Sequence, residues 1–358
     1  MQKKSSVPKK QHFVPQFLQR YFSYKDNQKQ IGQFNIANEH FEESTSIDGQ
    51  LQKKYYYGKS GKLEDWLKEL EDKSASIFRK MWEKEILPDL ESINQLQMLR
   101  FVIVLDLRNP NRLEIYDKHK SLDKEKENEF MYKSFESLKN EDGKLKLLIN
   151  AVNFVPKLID LKYKLLKNKT KTPFIMSDNP LIIYNQFLEN RKYQEGSHRG
   201  YGVIGLQFFL PLNSEYMLII YDKEIYKVGN KKEKVVEIND VETVNQLNLL
   251  QFLNSTDTII FNHKASQHYI RTIFEKSKKF RRANYPIIEH HNIIDNKGNQ
   301  VPNEKIGELG VTDLKINLFI PKIKFLAKSK SIKFHNRLDL FRKDCEPSEG
   351  HILNKFKF

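Results

Sequence analysis

The chain has 358 residues, with 61 lysines and arginines against 46 aspartates and glutamates, a formal net charge of +15. Hydrophobic residues make up 39% and aromatics 12%, enough apolar mass for a core, which excludes wholesale disorder. A single cysteine, Cys345, excludes a disulfide framework and any ordinary cysteine-based zinc site.

Taken in chain order, residues 1–11 read as a flexible basic arm containing Pro8. No apolar run of signal-peptide length follows it, and no stretch of about 18 uncharged apolar residues occurs anywhere. A soluble, cytoplasmic protein with no membrane partner is therefore expected. Residues 12–24 are apolar and aromatic, with Pro15 preventing an uninterrupted helix. Ile31–Ile36 alternates like a short strand. After Gly58 and Gly61 the spacing predicts a helix over Lys62–Glu85, with Leu63, Trp66, Leu67, Leu70, Ser74, Ile77, Phe78 and Met81 on one face. A second helix is expected over Ile93–Leu107, ending near Asn109-Pro110. A charged helix over Asn111–Asn140 follows, then an apolar-periodic segment, Leu147–Leu166, kinked at Pro156.

The period then changes. Thr172–Met176, Leu181–Asn185, Leu206–Leu210, Tyr216–Tyr221 and Thr258–Phe261 read as strands, with helices over Asp240–Leu253 and Lys264–Lys276. Asp240 is a candidate N-cap. Glu189–Gly205 and Glu289–Ile306 read as loops, and Leu314–Ile320 as a last strand. The expected fold is α+β: an N-terminal helical layer packed on a C-terminal mixed, mainly antiparallel sheet with flanking helices. Residues 12–168 would form the helical half and 169–275 a sheet half sharing its core. Residues 276–358 would be a basic C-terminal extension.

The charge is unevenly placed. Lys276, Lys278, Lys279, Arg281 and Arg282 form a block, five basic residues in seven. From Lys315 to Phe358 there are eleven basic against four acidic residues, a net of +7. Clustered cations favour a polyanion, so nucleic acid is a candidate partner and these five residues are candidate contacts. A solvated basic edge is the plain alternative.

Motifs narrow the chemistry by elimination. There is no phosphate-binding loop, dinucleotide fingerprint, zincin helix, nucleophile elbow or deaminase signature, so no nucleotide cofactor is expected. Several polar constellations remain. His12, with Gln16 four positions on, suits a general base or a phosphate contact, or a structural hydrogen bond. Asp178, in Ser177-Asp178-Asn179-Pro180 after a strand, suits a metal ligand or proton acceptor, or a turn-shaping Asx residue. Arg108 and Arg112 at a helix end suit a carboxylate or phosphate, or the capping of carbonyls near Asp106 and Glu114. Glu69 and Glu71 point in different directions on their helix, so only one can face a cleft. Glu289, His290 and His291 read as surface.

The segments QHFVPQFLQRYF at the N-terminus, TPFIMSDNPLIIYN at mid-chain and Leu210–Asn213 (LPLN) together resemble the domain-of-unknown-function family 4238. The resemblance covers about residues 11–275 and picks out His12, Pro15, Gln16, Glu71, Arg108, Pro110, Ser177 to Pro180 and, through a late helix, Asn248. Asn109 departs from the threonine frequent in the family. The family implies no particular activity. If these residues converge, the expectation is a metal-dependent phosphodiesterase or nuclease, possible in bacterial defence. Asp178 and Glu71 would hold Mg²⁺ or Mn²⁺, His12 would act as base, and Arg108 would offset phosphate charge. Gln16 and Asn179 would contact substrate. The alternative is a non-catalytic nucleic-acid or ligand-binding protein in which these residues are structural. A metal-free hydrolase of an anionic metabolite, using His12 and Asp178, is a third.

Overall fold

Two sheets and a layer of helices carry the architecture. The computed structural model describes residues 8–114, 140–192, 199–280, 287–294, 300–310, 316–335, 337–343 and 345. The larger sheet has five strands: β5 (Lys162–Asn168), β7 (Ile182–Tyr184), β8 (Gln207–Pro211), β9 (Tyr216–Tyr221) and β11 (Val235–Ile238). Their order is β11-β5-β9-β8-β7, and all neighbours are antiparallel except β11 and β5. Every residue of β8 and β9 is buried, so these strands read as continuous apolar runs. The pleat divides them. Phe208, Leu210, Leu218 and Ile220 join one core, whereas Phe209, Met217, Ile219 and Tyr221 join the other.

The first core lies under the helical layer of α1 (Gln16–Arg20), α2 (Lys62–Lys84), α3 (Ile93–Leu107) and α5 (Glu141–Ala151), with the short α4 (Pro110–Leu113) beside it. α2 buries Leu63, Leu67, Leu70, Ser74, Ile77, Phe78 and Met81, its three-and-four stripe. α3 is buried on most sides and starts at Ser92, whose hydroxyl accepts from the Gln95 amide. It stops at Arg108, because Asn109 opens α4 as N-cap with Pro110 in the first turn. The second core lies under α7 (Val241–Asn254) and α8 (Gln267–Lys278), with α6 (Gln186–Asn190) at its edge. Asp240 caps α7 as expected, accepting from the Thr243 amide.

The smaller sheet joins distant parts of the chain. It comprises β2 (Gln30–Asn35), β3 (His40–Ser46), β6 (Met176–Ser177) and β12 (Thr258–Phe261) in the order β3-β2-β12-β6. Gly32 faces Phe261 in the β2–β12 ladder, where a Cβ would lie 2.3 Å from the phenyl ring. Two-stranded ribbons pair β1 (Lys10–His12) with β4 (Gln52–Lys54) and β10 (Tyr226–Val228) with β15 (Ile323–Phe325). The fold is α+β with a mixed, mainly antiparallel sheet. The first half also contributes two strands to the smaller sheet.

Several local expectations differ from what forms. Leu147–Leu166 is not one kinked helix: α5 ends at Ala151, a 3₁₀ segment follows over Val152–Leu158, and β5 takes over. In β5 cross-strand neighbours on both sides favour alternation over helical period. Of Thr172–Met176 only Met176 is in a strand. Glu289–Ile306 falls largely in a hairpin of β13 (Ile287–Ile294) and β14 (Gln300–Gly310), with His291 paired to Ile306, not in an open loop. Residues 316–320 form no strand, and Leu318 and Ile320 act as single buried anchors. The helix expected over Asn111–Asn140 lies mostly outside the described residues, as do Arg281 and Arg282. The described part of the C-terminal segment packs on the body. Arg342 is buried and binds Asp160 at 2.8 Å and the Val203 carbonyl at 2.8 Å. Among the described residues no helix is long and apolar enough to cross a membrane.

Candidate functional site

Arg108 is the centre of one polar node. It sits where α3 ends, almost fully buried, and each face of its guanidinium has a partner. Nε donates to the Tyr57 hydroxyl at 3.0 Å, Nη1 to Glu71 at 2.5 Å, and Nη2 to the His12 carbonyl at 2.6 Å. Three elements, β1, the turn after β4 and α2, are thereby tied to the end of α3. Burial pushes the Tyr57 phenol up to about 12 against the pull of Arg108. The ion pair with Glu71 is lopsided in solvent access, the arginine side chain 3% exposed and the glutamate 22%.

His12 and Gln16 line the outer edge of this node. The Gln16 carbonyl oxygen accepts from Arg20 at 2.7 Å, which orients the amide so that its nitrogen donates to His12 Nε2 at 3.2 Å. This assigns the ring proton to Nδ1. Burial lowers the His12 pKa below its ordinary value, outweighing the opposing pull of Asp48 and the carbonyls of Ile47 and Asp48. The imidazole is therefore neutral at pH 7, with its lone pair engaged by Gln16.

A second node surrounds Asp178. Its two carboxylate oxygens accept three backbone amides, from Thr256 at 2.8 Å, Asp257 at 2.8 Å and Thr258 at 3.1 Å. Burial pushes the carboxyl up to about 6, against the three amides that favour its charged form. The extended segment around it is held by one face of α7. Asn248 accepts from the Ile175 amide and donates to the Pro173 carbonyl; Gln251 accepts from Ser177 and donates to Pro180; Asn254 donates to Asn179 and Leu181. Spaced three apart, these amides substitute for a neighbouring strand. Asn179 contributes its carbonyl to that ladder, while its buried side-chain oxygen has no hydrogen bond among the described residues.

The nodes meet through Asn109 and Asn111. Asn109 donates to the Asp178 carbonyl at 2.7 Å, and Asn111 donates to the Thr256 hydroxyl at 2.6 Å. Thus His12, Gln16, Glu71 and Arg108 converge, and Asp178 and Asn179 adjoin them through Asn109. Glu71 and Asp178 are engaged separately, one by a guanidinium and the other by backbone amides. Among the described residues no group of three His, Cys, Asp or Glu side chains could hold a metal ion. Arg112 pairs with Asp106 at 3.4 Å. Glu69 faces outward and pairs with Lys73. Lys276, Lys278 and Lys279 lie exposed at the end of α8, where Lys278 pairs with Glu39 and Glu275.

Other residues were not singled out by sequence. Gln11, fully buried, donates to the Gly58 carbonyl at 3.0 Å and accepts from the Tyr57 amide at 2.5 Å. Glu64 lies two helical turns before Glu71, hence on the same face of α2. Its Oε2 is buried without a hydrogen bond among the described residues, and burial raises its pKa while Arg108 opposes the rise. The Asn248-Gln251-Asn254 spacing on an otherwise apolar helix was the available signal for the second node. A cavity of about 320 Å³ lies elsewhere, between the start of α3 and the residues Lys343 and Cys345, and is lined by none of the candidate residues.

The family model described as protein of unknown function (DUF4238) matches residues 10–265. The chain belongs to this family. Both nodes fall inside the DUF4238 match, whereas the segment around Arg342 falls beyond it. No curated protein and no solved structure matches the chain.

Proposed function

We propose that this DUF4238 chain binds nucleic acid without cleaving it, and that His12, Gln16, Glu71, Arg108, Asp178, Asn179 and Asn248 hold the helical layer against the sheets. The observation that carries the non-catalytic part is the saturation of Arg108 and Asp178, each held by three internal partners. A guanidinium so enclosed cannot clamp a phosphate without leaving a buried tyrosine, glutamate and carbonyl unpaired. Support for a polyanionic partner comes from the charge of +15. Exposed lysines such as Lys276, Lys279, Lys322, Lys324 and Lys330 form no ion pair among the described residues. Counterion release from phosphates would drive such binding.

A second reading is phosphodiester cleavage with His12 as base, as in a defence nuclease. It is favoured by the neutral imidazole on the residue whose carbonyl Arg108 binds. It would require Gln16 to swing away from Nε2, and a Mg²⁺ or Mn²⁺ ion would need ligands other than the Glu71–Asp178 pair. The test uses purified protein with RNA, single-stranded DNA and duplex DNA, in Mn²⁺ or EDTA. Salt-sensitive binding with all substrates intact is expected. Mn²⁺-dependent cleavage that disappears in a folded His12→Ala variant would overturn the non-catalytic reading in favour of the second.

A further inference from the structure

We propose that the outward face of the β1–β4 ribbon is a track for single-stranded nucleic acid, with Tyr55 as the ring on which a base stacks. This rests on the binding function proposed above and locates it on a surface that the basic block at Lys276–Arg282 does not include. Three observations converge there.

The first is register. In the ribbon Lys10 faces Lys54, and His12 faces Gln52. Alternation along a strand puts all four on one face and sends the buried Gln11 to the other. The track therefore runs from lysines at one end to the imidazole at the other. The second is charge with aromatic character. Lys54 and Lys59 lie over the Tyr55 ring, at 5.9 and 5.4 Å from its centroid. Lys9, Lys54 and Lys59 form no ion pair among the described residues. Two neighbouring acidic groups are already engaged, Asp48 by Lys10 and Glu141 by Ser60. A positive excess beside an accessible ring is the composition that binds single strands, because every base offers a π-face once unstacked.

The third is backbone conformation. Tyr55 has φ +50°, in the left-handed region that disfavours bulky side chains. Among the described residues it is the one aromatic with positive φ. The turn is fixed by the Tyr55 amide on the Lys9 carbonyl at 2.9 Å, by the Gly58 amide on the Tyr55 carbonyl at 3.0 Å, and by Gln11 beneath it. Tyr55 is only half-buried and lies outside both apolar cores, so core packing does not account for a tyrosine at this strained position.

The test compares binding of labelled oligothymidine, oligouridine and a duplex by fluorescence anisotropy across a salt series. Tyr55→Asn suits the left-handed backbone and is expected to fold at least as stably as the natural chain. It should nonetheless lose about tenfold in single-strand affinity, with duplex affinity unchanged. Tyr55→Phe should retain the natural affinity. Combined Lys54→Glu and Lys59→Glu should lower the single-strand salt slope by about one to two. Folded Tyr55→Asn and Lys54→Glu/Lys59→Glu variants that bind single strands as the natural chain does would overturn the track and leave the proposed function standing. Absence of any nucleic-acid binding by the natural chain would overturn both.

Discussion

Arg108 gathers the Tyr57 hydroxyl, a Glu71 oxygen and the His12 carbonyl, groups that share no element. A lysine would keep the charge yet could not reproduce the planar fork that reaches all three. Arg108→Lys is therefore expected to destabilise the fold by about 2–4 kcal/mol, measured by urea denaturation. His12 gives a prediction in pH. Its folded pKa lies below the unfolded value because burial disfavours the charged ring. Its contribution to stability is thus present above the ordinary histidine pKa of 6.5 and is lost as pH falls through the lower, folded value. An NMR titration should show the His12 midpoint below 6.5. A midpoint above that value would contradict the burial argument. At this scale the family resemblance picks out His12, Gln16, Glu71 and Arg108 together, whereas residue type alone does not separate Glu71 from the other charged residues of α2. Tyr57 was not legible, because one tyrosine in a run of three carries no pattern that selects it.

The extended segment from Pro173 to Leu181 forms few strand hydrogen bonds and depends on α7. Gln251 is the middle of three amides, meeting both the amide and hydroxyl of Ser177 and the Pro180 carbonyl. Replacing it with leucine, similar in size, leaves those buried groups unpaired. Gln251→Leu is expected to cost about 2–4 kcal/mol, checked by thermal denaturation. Elements with strong periodicity were legible: α2, α3 and β9 fall where the spacing places them. The segment 172–176 was not, because β-branched and aromatic composition marks an extended chain without saying who supplies its partners. The pattern of β5 is ambiguous for a related reason. Its alternation is weak in isolation and is selected only by β9 and β11 on either side.

At the scale of the whole molecule, the basic C-terminal stretch is joined to the body more firmly than its charge suggested. Leu318, Ile320 and Leu340 are buried, Arg342 binds Asp160 and the Tyr201 carbonyl, and Arg191 reaches back to the carbonyls of Ser329 and Ile332. Truncation after Gly310 is expected to lower the thermal midpoint by about 5 °C or more, or to abolish the cooperative transition. A truncated chain that melts like the full one would show that these anchors contribute little. Charge reversal at Lys322, Lys324 and Lys330 separates electrostatics from packing, since these side chains are exposed.

The β2–β12 ladder also imposes an order on synthesis. One edge of β2 pairs with nearby β3, but on the other edge Gly32 to Asn35 find their partners in Thr258 to Phe261. On a ribosome releasing the chain from its N-terminus, β2 must wait until more than two hundred further residues have emerged. Through that interval the strand has an unpaired edge, and a nascent chain halted before Thr258 would present it to any chaperone or neighbouring polypeptide within reach. Maturation of this protein is thus a late event, gated by a segment closer to its end than to its beginning.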